Sequence, residues 1–76
     1  MRRAPTISPL KPDQRSFLRR LNQVDGEYLM ATGLRDKLAA CALVQIGYAR
    51  RHPVYPHHFV IAAAGEYYLD RIMRAD

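Results

Sequence analysis

The stretch from Gly47 to Ile61 limits what this chain can fold into more than any other. A helix-periodic apolar pattern stops at Gly47, two short runs of strand-forming residues follow, and a second helical pattern opens at Ala63. Proline cannot sit within a central β-ladder, so Pro53-Val54-Tyr55-Pro56 is predicted to be a loop joining Tyr48–His52 to His57–Ala62 as a hairpin. Phe59 and Ile61 fall on one face of the second run and are expected in the core. Tyr55, held between two prolines, is expected at the surface, either as a contact residue or as a lid over its own hairpin. The order helix, hairpin, helix in so short a chain predicts an α+β domain.

The segments before the hairpin can be read from their stops and starts. Pro12 suits a first helical turn, where its missing N–H has no partner, and Asp13 sits well at the positive end of the helix dipole. Gln14, Phe17, Leu18, Leu21 and Val24 recur at spacings of three and four and predict one buried stripe, leaving Arg15, Arg19 and Arg20 solvated. Asp25-Gly26 is the expected stop. Tyr28-Leu29-Met30 reads either as a short strand pairing with the hairpin edge or as one helical turn. The strand reading leaves Thr32 free to cap the next helix.

That next helix is expected from Gly33 or Leu34 to Ile46. Leu38, Ala39, Ala42, Leu43 and Ile46 would form its buried side, with Arg35, Lys37, Ala40, Cys41, Val44 and Gln45 outside. After the hairpin, Gly65, Tyr68, Leu69 and Ile72 predict the inner side of a last helix, with an Asp70–Arg74 pair on its surface. Residues 1–10, with Pro5, Ser8 and Pro9, are expected to form a flexible arm, and residues 11–76 the domain. Arg2 and Arg3 would let such an arm touch phosphate, although a tail without a role accounts for them more simply.

Charge narrows the partners. The formal net charge is +5, yet no carboxylate occurs between Asp36 and Glu66, a span that holds Lys37, Arg50, Arg51, His52, His57 and His58. A one-signed segment favours a polyanion such as nucleic acid or an acidic protein surface, although a basic solvated face needs no partner. No apolar run approaches the roughly 20 residues that cross a bilayer, so no membrane role is expected. The single cysteine, Cys41, excludes an intrachain disulfide and suits a reducing cytoplasm.

Catalysis finds little support in the residues. His52, His57 and His58 with Cys41 lack the four-ligand spacing of a zinc site, and adjacent strand histidines face opposite ways. A Cys41–His57 nucleophile and base would need an orienting third group that the sequence does not supply. There is no glycine-rich phosphate loop. Neither an enzyme nor a cofactor or metal is expected.

Two junctions resemble those of winged-helix domains of bacterial and phage regulators. Leu43-Val44-Gln45-Ile46-Gly47-Tyr48-Ala49 is similar to that family's passage from recognition helix to wing. Phe59 to Leu69, through Ala62 and Gly65, is similar to its passage from wing to last helix. The resemblance implies a winged-helix-like fold with three main helices and a hairpin wing. It departs from the family at Ala62, where a threonine is usual, and between Gly26 and Gly47, which leaves at most one turn for the second helix.

The resemblance implies a regulatory, double-stranded DNA-binding protein. Arg35 and Lys37 would approach the groove, and Arg50, Arg51, His52, His57 and His58 would meet phosphate. On that reading the three histidines add charge on mild acidification and tighten binding. The other reading is a protein-interaction module, a small adaptor or phage-type inhibitor or a homodimer, that uses Ala40, Cys41, Val44 and Tyr55 as its contact surface.

Overall fold

A computed structural model describes residues 10–74, with side chains as far as residue 72. The element order is α1 (Pro12–Gln23), β1 (Leu29–Met30), α2 (Gly33–Ile46), β2 (Ala49–Arg51), β3 (His58–Ile61) and α3 (Ala63–Arg74). The three strands form one antiparallel sheet in the order β1-β3-β2. The result is a small α+β domain of three helices and a three-stranded antiparallel sheet, and the Tyr28-Leu29-Met30 segment resolves to a two-residue strand, Leu29–Met30. The expected arm lies outside the described residues except for Leu10. That residue belongs to the domain, because its side chain is buried in the core and its N–H donates to the Tyr68 hydroxyl.

α1 begins as its residues dictate. Pro12 occupies the first helical position, and the Gln14 side chain accepts the otherwise unpartnered Lys11 N–H at 3.2 Å. Its apolar stripe delivers Phe17, Leu18 and Leu21 to the core, where Phe17 meets Phe59 of β3 edge-on. Asp25 and Gly26 both adopt positive φ and turn the chain into β1. β1 is short but anchored, because Leu29 pairs with Phe59, Met30 with His58, and the Ala31 N–H donates to the His57 carbonyl.

α2 corrects the sequence reading. Its core side is Ala39, Ala40 and Leu43, while Leu34 is 73% exposed, Leu38 62% exposed, and Ile46 also exposed. The helix is apolar on two faces, so its periodicity does not choose between them. The chain does: Ala31 before the helix and Ala49 after it are both buried. These two anchors set the side that α2 turns inward. Thr32 stands at the N-cap position, but its side chain makes no capping hydrogen bond. The C-terminal stop at Gly47 is as expected. Gly47 takes φ 98° and donates to the Leu43 and Val44 carbonyls, and the Tyr48 N–H also reaches the Leu43 carbonyl.

The hairpin places Ala49 opposite Ile61, Arg50 opposite Val60 and Arg51 opposite Phe59. Phe59 and Ile61 are buried as expected. α3 then seals one end of the sheet. Gly65 lies against the Tyr48 carbonyl and the Ile61 and Leu18 side chains, and Tyr68 packs against Tyr48 with ring centroids 5.0 Å apart. The expected Asp70–Arg74 pair falls on a side chain outside the described set.

Candidate nucleic-acid interface

Alternation along the strands sorts the candidate residues onto two faces. Ala49, Phe59, Ile61 and Leu29 point inward. The outward face therefore carries Arg50 and Val60, which pair, and Met30 and His58, which pair. His52, whose N–H donates to the His58 carbonyl at 2.8 Å, continues that outward row. Tyr28 joins it from just before β1, its ring centroid 4.5 Å from that of His52.

The loop from His52 to His57 is built by side-chain hydrogen bonds. His52 Nδ1 accepts from the backbone N–H groups of Val54 and Tyr55, each at 3.0 Å. His58 Nδ1 donates to the Pro56 carbonyl at 2.9 Å. His57 closes the loop at φ 63° with its side chain exposed. Tyr55 is 59% exposed and lies 4.8 Å from His52 and 5.8 Å from His58, centroid to centroid. It leans on the loop's own histidines and still offers a ring to solvent, so it is both lid and surface.

The basic residues divide into free and committed groups. Arg50 is exposed on the outward face. Arg51 turns the other way, its guanidinium 5.9 Å from the Phe59 ring centroid and donating to Cys41 Sγ at 3.6 Å. Arg35 is held by Asp13 at 3.4 Å and Arg20 by Asp36 at 3.1 Å, both across the α1–α2 seam. Lys37 is half-buried on the flank of α2. Hence the seven candidate nucleic-acid residues do not form one patch. Arg50, His52 and His58 share a face, Arg51 bridges to α2, His57 sits at the loop end, and Arg35 and Lys37 lie on the helix.

The protein-contact set also divides. Ala40 is fully buried and Val44 packs against the core, so neither side chain forms the exposed face of α2. Cys41 is exposed, and that face is completed by Leu34, Leu38 and Gln45. Leu34, Leu38, Cys41 and Gln45 recur at helical spacing, a pattern visible in the sequence but equal in strength to the competing one. The exposed Tyr28 and Met30 were hidden because the strand–turn ambiguity left their side undecided.

Among the described residues no cluster of His, Cys, Asp or Glu is arranged to hold a metal ion. No described helix is long and apolar enough to cross a membrane. Away from the sheet, Arg71 donates to the Tyr67 hydroxyl at 2.9 Å, and this bond raises the already high guanidinium pKa. Comparison with known protein families, with characterised proteins and with solved structures finds no match to this chain.

Proposed function

We propose that this chain is a small winged-helix-type nucleic-acid-binding domain with a regulatory role, which holds double-stranded DNA mainly by phosphate contacts from its hairpin. The reading rests on the exposed hairpin, which carries Arg50, Arg51 and His57 within a span free of carboxylates. Support also comes from the strand order β1-β3-β2 and from a helix, α2, that runs directly into that hairpin. The domain binds and does not catalyse.

Sequence preference on this reading is weak. A helix that reads base edges needs donors and acceptors along its exposed side. Here that side is Leu34, Leu38, Cys41 and Gln45, and Arg35 is occupied by Asp13. The test is retention of random duplex DNA across a salt series. Each phosphate contact contributes a slope of about −0.9 in log K against log salt, so reversing Arg50 to Glu lowers the slope by about 1 in magnitude, and reversing Arg51 as well takes about 1 more if its guanidinium leaves Cys41 Sγ for a phosphate in the complex. A flat salt response in the wild-type chain refutes the reading.

The second reading, a protein-interaction module, draws on the exposure of Leu34 and Leu38 side by side on α2. Replacing both with Ser then abolishes association, while the Arg50/Arg51 reversal leaves it intact. A strict monomer with no bound partner argues against that second reading.

A further inference from the structure

The outward face of the sheet carries a feature that phosphate binding leaves unused. Tyr28, His52 and Tyr55 form a series of rings, His52 lying 4.5 Å from one tyrosine and 4.8 Å from the other. Tyr28 is 45% exposed and Tyr55 59% exposed, so both outer rings present surface to solvent. Arg50 stands two residues before His52 on the same face of β2. We propose that this face is a stacking site for the unpaired bases of single-stranded nucleic acid, with Arg50 holding the phosphate between stacked nucleotides.

Three properties of the face support this occupant. Every base has a π-face that stacks on an aromatic ring, and a cationic groove beside the rings supplies the backbone contact. The charge is complementary, since Arg50 is the charged side chain on the outward strand positions and no carboxylate occurs from Lys37 to Gly65. The platform is also ordered before binding. His52 is fixed by two hydrogen bonds through Nδ1, and Tyr55 lies between prolines whose φ angles are set by their rings. The loop backbone therefore has less freedom to lose when a base arrives. Bases inside a duplex already stack on each other and offer this face only phosphate.

The inference rests on the nucleic-acid reading above, and its test separates the two. Binding of the full chain to a labelled oligothymidylate and to a duplex of equal length is measured by fluorescence anisotropy at one salt concentration. A 2-aminopurine oligonucleotide reports stacking directly. The single strand should bind more tightly. Tyr55→Ala and Tyr28→Ala should each weaken it by roughly 5- to 150-fold and leave duplex affinity within about twofold. Tyr55→Phe and Tyr28→Phe should retain single-strand binding, because stacking needs the ring and not the hydroxyl. Both rings are exposed, and circular dichroism of each variant confirms the fold.

Equal affinity for single strand and duplex, or single-strand binding indifferent to the alanine variants, overturns the stacking site while leaving duplex binding standing. Binding to neither overturns both. A dimer dissolved by the paired Tyr28→Ala and Tyr55→Ala changes also overturns it, because the face then belongs to a second copy of the chain.

Discussion

Replacing Gly65 by alanine should destabilise this protein, against the usual sign of that substitution in a helix. Alanine in place of glycine within a helix ordinarily stabilises by about 0.5–1 kcal/mol, because glycine loses more backbone freedom on folding. At position 65 a Cβ would run into the Tyr48 carbonyl oxygen and meet Ile61 Cγ1 and Leu18 Cδ1 at 3.1 Å each. The two side chains can give by a few tenths of an ångström. The carbonyl cannot, because it accepts the Ala62 N–H at 2.9 Å where β3 passes into α3. Relief therefore requires α3 to back away from the sheet, and with it Tyr68 and Leu69, both core residues. Overpacking of this kind typically costs about 1–3 kcal/mol. In a domain this small each kcal/mol shifts the melting temperature by roughly 4–8 °C. Thermal unfolding followed by circular dichroism should show a clear drop for Gly65→Ala, with a lowered urea midpoint. An unchanged or raised melting temperature would refute the close approach of α3 to Tyr48.

Other substitutions probe separate parts of the fold. Leu43→Ala should cost about 2–5 kcal/mol, and Leu38→Ala should stay within about 0.5 kcal/mol, because the first side chain is buried and the second is mostly exposed. Comparable losses in urea denaturation would show that α2 is turned the other way. His52→Ala should speed amide exchange at Val54 and Tyr55, whereas His52→Asn keeps an acceptor there and should largely preserve protection. Asp36→Ala should change stability by less than about 1 kcal/mol, because its partner Arg20 is well exposed; a larger loss would mean the α1–α2 seam depends on that pair.

His52 has a structural task, because its Nδ1 accepts the Val54 and Tyr55 amides and so shapes the loop. Nothing in the local sequence announces this. A histidine before a proline is an ordinary loop residue until the Val54 and Tyr55 amides are brought to its ring. The same holds for the candidate basic site. Arg35 and Arg51 look equivalent to Arg50 along the chain, but Asp13 and Cys41 arrive from distant positions to engage them.

Where a structural decision depended on neighbours in the chain, it was legible at once. The helix starts and stops at Pro12, Asp25-Gly26 and Gly47 express the covalent limits of proline and glycine. The burial of Phe17, Leu18, Leu21, Phe59 and Ile61 follows from stripes of one clear period. Junction residues such as Gly65 could also be picked out, although only the fold reveals the carbonyl that demands glycine there. The rotation of α2 was a different kind of question. Leu34-Leu38-Cys41 and Ala39-Ala40-Leu43 are both apolar at helical spacing, so the period alone does not choose between the two arrangements. Ala31, bonded to His57 just before β3, and Ala49, paired with Ile61 of β3, hold the two ends of the helix, with the alanines inward and two leucines in solvent. Pairing in the sheet likewise assembled Tyr28, His52 and Tyr55 into one face, because rings separated along the chain meet only when strands set their register.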